Sequence, residues 1–493
     1  MTNRPMNLDE PVELAGIWWL PDKPDEKLPG ILRYDGKGAI SLSLVGAFED
    51  RIVSHPSPGV IQYDAGAKTW NAIHGVADLS EVTLLDCLPI RSQRIVSARV
   101  QGPDTQLIRA TLAVVGAHIS GEEDPVFAAA EVSIDDLAIW AASSEFVTSL
   151  CADNDGKIGG ANSISMKPVE AQMVTVGTTE YSLLHIRPWP SIDFCKGGVT
   201  GRMKDTVRIR IRRSELLTLR AALGEASLMQ DLIALATHSS AGVIWLQLEI
   251  AGTETTLPNG QCLPCRGASV LYSPVALGRR DEKSTGQVFF TCKDLPFEEI
   301  LPCWCEAHDR LQAATNMILG LRYAPGRFIE SNLLTAVGAA EVLHRGLNID
   351  KKPFPKAKFR EMRDAMLSQV PEEYRDRFKQ ALRNSPTLRD RLLALASRPD
   401  QYAIRQLVPD VNQWAERTTR ARNNLVHNGR TPNQSIDELN VIVQATTAVV
   451  ILNILHELGL STDRQRQIVQ EHPQLREVCK ETSEWLNRPD GYC

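Results

Sequence analysis

The sequence has little excess charge of either sign and no uninterrupted apolar run suited to a membrane span. The 493 residues carry a net charge of −6 and a pI near 6.0, which argues against a protein that coats nucleic acid through bulk electrostatics. The most apolar long stretch, residues 439–460, contains Asn440, Gln444 and Glu457 and therefore predicts a buried helix. Residues 1–11 are polar and lack the apolar core of a signal peptide, so we expect a cytoplasmic protein without membrane contact.

Several catalytic signatures are also missing. We find no phosphate-binding Walker loop, no paired acidic metal motif and no His-Cys nucleophile arrangement, which disfavours nucleotidyl transfer and DNA cleavage. The hydrophobic fraction of 43% and the charged fraction of 23% are those of an ordinary globular protein. The length allows two to four domains.

Ten cysteines are present, and in a cytoplasmic protein they are expected to be reduced. Cys262 and Cys265 form a C-x2-C pair, and Cys303 and Cys305 form a C-x-C pair nearly forty residues later. Four thiolates from two short turns would make a closed, structural zinc site. Free thiols in turns and at a strand end are the alternative, which the unusual second pair favours. No other cofactor is predicted.

Residues 1–150 have the pattern of a β-rich domain. Ile40, Leu42 and Leu44 alternate with serines, and Asp35-Gly36 is typical of a hairpin turn. Short strand-like segments at this spacing predict a sandwich or a barrel. They recur at residues 59–63, 70–76, 82–87, 95–100 and 110–115, and residues 132–140 read as a strand end that turns into a short helix.

Residues 151–300 have a mixed α/β pattern, with the cysteine cluster at their end. Residues 215–237 predict a helix and residues 242–251 a strand. Before them, Arg208, Arg210 and Arg212 alternate with apolar residues, which places the three arginines on one face of a strand. Such a row either contacts a phosphate backbone or forms a solvated, salt-bridged face, and we favour the second interpretation.

Residues 301–493 have a helical pattern, interrupted by prolines between the segments. The segment from residue 435 is apolar on most sides and should lie inside a bundle or a dimer interface. Glu341 and Arg345 have the i, i+4 spacing of an ion pair. The connecting helices mix basic and acidic residues, which is typical of a solvated face. The predicted helices cover residues 306–322, 326–347, 355–369, 372–384, 387–397, 412–428 and 435–458.

One of these helices ends in an Arg-x4-His motif formed by Arg422 and His427, followed by Gly429 as a left-handed C-cap. On a regular helix, two side chains that are five positions apart point in directions that differ by roughly 140°, so Arg422 and His427 would not share a face. Joint action requires a distorted last turn, an arginine that reaches around the helix, or a second copy of the helix. Otherwise His427 is a capping residue and Arg422 a surface ion-pair partner. Arg466 and His472 match a looser Arg-x5-His pattern, which we treat as a decoy.

Two groups of motifs together resemble the ApeA-type HEPN proteins of bacterial antiphage defence. Segments 16–21, 29–32, 42–48 and 82–87, with the later pattern ending at Trp140, resemble the N-terminal domain of that family. The C-terminal helical region with Arg422-Asn423-x3-His427 is similar to the HEPN signature Arg-polar-x3-His. The resemblance implies an α+β multidomain protein, with a β-rich, sandwich-like N-terminal region followed by an all-α HEPN-type bundle.

The resemblance also implies an activity. It points to a metal-independent endoribonuclease of abortive infection that cuts cellular RNA such as tRNA, in which the 2′-hydroxyl attacks the adjacent phosphodiester. His427 would be the general base or acid, Arg422 would hold the phosphate, and Asn423 would orient the imidazole or the substrate. A homodimer would form a composite site, and a phage-derived trigger would act on the N-terminal region. The alternative is a non-catalytic dimeric interaction or sensor protein.

Overall fold

The structure is a computed structural model. It describes residues 4–48, 52–57, 60–64, 69–93, 104–149, 163–257, 260, 262–276, 287–349, 352–431 and 434–488. The predicted strand at residues 95–100 lies outside the described residues. The chain forms two compact units, one of residues 1–285 with 291–301 and the other of residues 286–290 with 302–493.

The first unit begins with strands in which buried and more exposed residues alternate, as the period-2 pattern predicts. The predicted strand 110–115 is two strands that separate at Thr111. The strands are β1 (Val12–Trp19), β2 (Leu28–Tyr34), β3 (Ile40–Val45), β4 (Ile52–Ser57), β5 (Val60–Asp64), β6 (Trp70–Ala77), β7 (Ser80–Gln93), β8 (Thr105–Ala110), β9 (Leu112–Val115) and β10 (Phe127–Ile134).

Six of these strands close into a barrel in the order β7-β6-β1-β2-β3-β8, because β8 also pairs with β7. The long β7 strand makes closure feasible: its first half pairs with β9, and its second half pairs with β8 from Leu88 onward, with a register shift between Pro89 and Arg91. The interior is tightly filled. A Cβ at Gly75 would lie 2.3 Å from the ring of the buried Trp18, so this strand position requires glycine.

The sheet continues beyond the barrel in the order β9, β21 (Gly267–Tyr272), β18 (Val243–Ile250), β10, β17 (Thr206–Arg213), β14 (Thr179–Ile186) and β13 (Gln172–Val176), so the predicted divide at residue 150 falls inside one sheet. One helix packs on β10 and β18. It begins after Thr218, whose side chain accepts a hydrogen bond from the Ala221 N–H. The further elements are α1 (Leu137–Ala141), β11 (Phe146–Ser149), β12 (Ser163–Met166), β13 (Gln172–Val176), β14 (Thr179–Ile186), β15 (Ser191–Cys195), β16 (Gly198–Arg202), β17 (Thr206–Arg213), α2 (Leu219–Thr237), β18 (Val243–Ile250), β19 (Thr255–Thr256), β20 (Cys262–Leu263) and β21 (Gly267–Tyr272).

The arginine row lies on β17, and the salt-bridged interpretation is confirmed for two of its members. Arg208 pairs with Glu131 on the neighbouring strand β10, and Arg210 pairs at 2.6 Å with Glu249 on β18, the strand beyond β10. Burial raises the pKa of the Glu131 carboxyl above its usual range, and the charge of Arg208 offsets part of this effect. These guanidinium groups already have carboxylate partners, so they are not a free phosphate-binding surface.

The second unit is helical. The helix that leads into it begins at Phe297, nine residues before the predicted start, and includes Pro302, Cys303 and Cys305, so the C-x-C pair is not in a turn as predicted. Phe297, Leu301 and Trp304 are buried at helical spacing, and this packing outweighs the helix-breaking tendency of the proline. The helices are α3 (Phe297–Tyr323), α4 (Ile329–Gly346), α5 (Lys356–Ser368), α6 (Glu372–Ala381), α7 (Leu388–Ala396), α8 (Gln401–Leu407), α9 (Val411–Asn428), α10 (Ile436–Glu457), α11 (Thr462–Glu471) and α12 (Pro473–Leu486).

Helix α10 is the centre of this bundle and packs against α4 and α12. Within the described residues it alone has the length and hydropathy of a membrane span, and 78% of that window is buried inside the protein. This matches the predicted core helix. The helix begins with a capping box in which Ser435 and Glu438 bond each other's backbone N–H groups. Helices α8, α11 and α12 were not predicted.

Candidate active site

Helix α9 carries the Arg-x4-His motif at its C-terminal end. The Asp410 side chain accepts a hydrogen bond from the Gln413 N–H and caps the first turn. The helix continues through Asn428, and Gly429 follows with φ 67°, the left-handed conformation predicted for it. The Gly429 N–H donates to the Leu425 carbonyl at 3.0 Å, so the last turn keeps the ordinary i, i+4 bond.

Arg422 is held by two neighbours. Its Nη2 donates to Glu341 Oε2 at 3.1 Å, and its Nη1 donates to Asn423 Oδ1 at 3.1 Å. The Arg422 and Glu341 side chains are 28% and 19% exposed, so the pair lies at the edge of the bundle and is open to solvent on one side. Two of the five guanidinium N–H groups are thus occupied, and the others can bind an anion without moving the group.

His427 lies one turn later and is exposed. No hydrogen bond or ion pair joins it to any other residue within the described ranges. Val426, beside it, is 51% exposed. An imidazole that is exposed to solvent and has no hydrogen-bond or ion-pair partner among the described residues can exchange a proton with a ligand.

Glu341 was missed as a site residue. Its position on α4 suggested an i, i+4 pair with Arg345, and this prediction was wrong, because Glu341 contacts Arg422 of α9 instead. No local sequence signal reports a contact between residues 81 positions apart. Asn423 likewise has a different contact from those predicted: its side-chain oxygen accepts from Arg422 and thereby orients the arginine.

Arg422 and His427 were predicted to act together in one of three ways, and the structure of a single chain has neither of the first two. The last turn is regular, so no helical distortion brings them together. Arg422 is directed to Glu341 and Asn423 instead of reaching around the helix. A single chain therefore presents an anchored cation and an exposed imidazole on different sides of one helix end.

The decoy pair has structural roles. Arg466 donates to both carboxylate oxygens of Asp400 at 2.8 and 3.0 Å. His472 is buried, and its Nε2 lies 3.2 Å from the Gln287 carbonyl. Arg466 thus binds the carboxylate that caps α8, and the His472 ring packs against Phe289, which agrees with setting this motif aside.

The four zinc-candidate cysteines are divided between the two units, with Cys262 and Cys265 in the first and Cys303 and Cys305 in the second. Cys265 donates to Glu254 Oε1 at 3.1 Å. Two residues apart on α3, Cys303 and Cys305 diverge by roughly 200°. An ion bound by both would therefore require that turn of the helix to open. The structural zinc stays a prediction.

Two family models match the chain. The model described as ApeA N-terminal domain 1 matches residues 13–304, and the model described as Apea-like HEPN matches residues 334–464. No curated protein and no solved structure matches the chain. The second match includes Glu341, Arg422, Asn423 and His427 and defines the helical unit as a HEPN domain, a class that is usually ribonucleolytic.

The first match extends over more than half of the chain and precedes the HEPN domain. The chain therefore belongs to the ApeA-type HEPN proteins, and the predicted family resemblance is confirmed. The predicted fold class is confirmed as well, with a β-rich region that contains a barrel followed by the helical domain. The HEPN domain suggests a nuclease role in antiphage defence.

Proposed function

We propose that the protein is a metal-independent endoribonuclease of abortive infection that cuts cellular RNA such as tRNA. The observation that carries the proposal is the end of α9, where an exposed His427 follows an Arg422 anchored by Glu341. Both residues fall within the part of the chain that matches the HEPN family. One group suits proton transfer and the other suits phosphate binding.

The reaction needs a base, an acid and a cation. Loss of the 2′-hydroxyl proton allows the 2′-oxygen to attack the adjacent phosphorus, and the bond from phosphorus to the 5′-oxygen breaks. The products are a 2′,3′-cyclic phosphate and a 5′-hydroxyl, which receives the second proton. His427 exchanges one of these protons, and Arg422 stabilises the charge that develops on the phosphate oxygens. Glu341 and Asn423 position the guanidinium for this contact.

A homodimer resolves the divergence of Arg422 and His427 around α9. HEPN domains typically act as dimers on RNA. If two α9 ends face each other, Arg422 of one subunit and the partner subunit's His427 line one cleft, and the dimer has two such clefts.

The setting of the enzyme completes the proposal. We place it in the cytoplasm, where its RNA substrates are found. The β-rich unit responds to a phage-derived trigger and controls the HEPN domain. In the competing hypothesis, a non-catalytic dimeric sensor, protection against phage does not depend on Arg422 or His427.

The first prediction concerns the full-length chain incubated with total RNA and with tRNA in the presence of a chelator. We expect cleavage that leaves 5′-hydroxyl ends, detected by kinase labelling of the new ends without prior phosphatase treatment. His427→Ala and Arg422→Ala should each lower the rate on the order of 10²- to 10⁴-fold, because each removes a group that acts on the transition state.

The controls are Arg420→Ala and His456→Ala. Arg420 lies two residues before the site and pairs with Glu416, and His456 occupies the last turn of α10. Both variants should cleave at the wild-type rate. Cleavage by His427→Ala equal to that of the wild type would refute the catalytic assignment. Phage protection that persists in both site variants would favour the sensor hypothesis.

A further inference from the structure

A second group of chemically reactive side chains lies in the β-rich unit, distant in sequence from the HEPN motif. Ser143 follows the short helix α1, which packs on β17 and α2. His185 lies near the end of β14, and Asp205 immediately precedes β17, the strand that pairs with β14. The fold thus brings together three residues that are 42 and 20 positions apart along the chain.

These three side chains form a continuous hydrogen-bond chain. Ser143 Oγ lies 2.9 Å from His185 Nε2. On the other side of the ring, His185 Nδ1 lies 2.9 and 3.1 Å from the two carboxylate oxygens of Asp205. The His185 and Asp205 side chains are only 2% and 7% exposed, whereas Ser143 is half-buried. The order is that of a nucleophile, a base and a carboxylate that orients the base.

The hydrogen bonds fix the tautomer of the neutral imidazole. A carboxylate only accepts, so Nδ1 carries the proton and donates to Asp205. Nε2 then has its lone pair directed at Ser143 Oγ, and the hydroxyl donates to it. This is the arrangement in which a serine hydroxyl can lose its proton to the ring as it attacks an electrophile.

The backbone around Ser143 is also unusual. Ala142 has φ 51° and ψ 25°, a left-handed conformation that is strained for a residue with a Cβ and often occurs at functional sites. The Glu145 N–H donates to Asp205 Oδ2 at 2.9 Å and fixes the carboxylate. Within the described part of the chain, the N–H groups of Ser143 and Ser144 donate to no acceptor. Two unused N–H groups beside a nucleophile can bind a developing oxyanion.

We propose that Ser143, His185 and Asp205 form a second catalytic site, a serine acyl hydrolase that acts on carboxylic esters with apolar acyl chains. The acyl preference follows from the hairpin β15–β16, whose strands lie between His185 and Asp205 in the chain. Trp189, Phe194 and Val199 in this segment are 96%, 83% and 62% exposed. This exposed apolar surface, in the segment that joins His185 to Asp205, suits a hydrocarbon chain.

The reaction proceeds in two balanced steps. Ser143 Oγ bonds to the ester carbonyl carbon while its proton moves to His185 Nε2, and the carbonyl electron pair moves to the oxygen. The tetrahedral adduct collapses, the alkoxide leaves with the proton from His185, and the acyl group remains on Ser143. Water then attacks the acyl carbon, gives its proton to His185 and releases the carboxylic acid, after which Ser143 regains its proton.

The second prediction tests this site with a fluorophosphonate probe on the intact chain. Ser143 Oγ should displace fluoride from the probe phosphorus, and peptide mass spectrometry should locate the adduct on Ser143. Ser143→Ala should abolish labelling, and His185→Gln should slow it on the order of a thousandfold, because the hydroxyl loses its base. The same variants should lose hydrolysis of p-nitrophenyl octanoate, which should be cleaved faster than the acetate ester.

Two controls make the result specific. Ser149→Ala, at an exposed serine of β11 outside the proposed site, should label like the wild type, and so should His427→Ala, which separates this site from the proposed nuclease. Thermal unfolding of Ser143→Ala and His185→Gln should match the wild type. An unlabelled wild-type protein would overturn the proposal. Labelling of Ser143 at an unchanged rate in a folded His185→Gln variant would do the same.

Discussion

At the scale of single residues, Glu341 determines how Arg422 can function. A carboxylate 3.1 Å from the guanidinium fixes its orientation and also balances part of its charge. A phosphate therefore binds to a group that is already oriented, and less conformational entropy is lost on binding. The motif itself was predictable from residues 420–429, but this partner was not, because the contact depends on how α4 packs against α9.

His74 gives a residue-scale prediction about pH. Its ring stacks on His118, with centroids 4.5 Å apart, and its Nε2 donates to the Ile119 carbonyl at 3.0 Å. Burial lowers the pKa of His74, the neighbouring His118 adds to this effect, and the hydrogen bond to Ile119 opposes it. The folded barrel therefore disfavours the protonated ring, whereas the unfolded chain accepts the proton at its ordinary pKa.

The sign of the effect follows from this linkage. The stability that neutral His74 contributes is complete above the unfolded-state pKa and is lost as the pH falls toward the lowered folded-state pKa. We expect the denaturation midpoint of the β-rich unit to fall between about pH 7.5 and about pH 5.5, a range that spans the ordinary histidine pKa. His74→Gln, which keeps a donor for Ile119 but does not titrate, should reduce that fall, whereas His456→Gln in the helical unit should not. An unchanged pH dependence in His74→Gln would contradict the assignment.

At the scale of elements, regular patterns were predictable and long-range packing was not. The strand at residues 70–76, the helix before Gly429 and the capped start at Ser435 follow from alternation and capping residues, and the structure has all three. The early start of α3 was missed because Pro302 suggests a boundary, although the buried residues around it have helical spacing. Local signals fail where tertiary burial outweighs them.

The C-cap of α9 gives an element-scale prediction. Gly429 has φ 67°, and a Cβ added to it would have no atom within 4 Å, so the backbone conformation alone opposes a side chain there. Gly429→Ala should destabilise the helical unit by about 1–2 kcal/mol, the cost of a left-handed alanine. Gly320→Ala is the matched control, since Gly320 lies within α3 in open space.

The control should have the opposite sign. A helical glycine replaced by alanine without a clash stabilises by roughly 0.5–1 kcal/mol. The measurement is the urea midpoint of the transition monitored by the helical circular dichroism signal. Equal effects of the two substitutions would show that the left-handed cap does not determine how α9 ends.

At the scale of the whole molecule, closure of the barrel and assembly of the sites depend on pairings that are remote in sequence. β8 closes the barrel by pairing with the second half of β7, and this pairing contains a register shift between Pro89 and Arg91 that the pattern of either strand alone does not reveal. The Ser143, His185 and Asp205 group likewise has no linear motif, because its members come from three separate segments. Sequence patterns therefore predicted the fold class and the HEPN motif, while three-dimensional contacts supply Glu341 and the second site.

The composite nuclease site gives the last prediction, which concerns the dimer. A heterodimer of Arg422→Ala and His427→Ala chains, isolated through two different affinity tags, has one site with both groups intact if each site takes its arginine and histidine from different subunits. It should therefore have about half of the wild-type activity per dimer.

The matched control pairs a wild-type chain with an Arg422→Ala/His427→Ala chain. In this dimer every shared site lacks one group, so we expect almost no cleavage. If both residues instead act within one subunit, the results reverse: the first heterodimer is inactive and the second keeps about half of the activity, because only the wild-type chain has both groups.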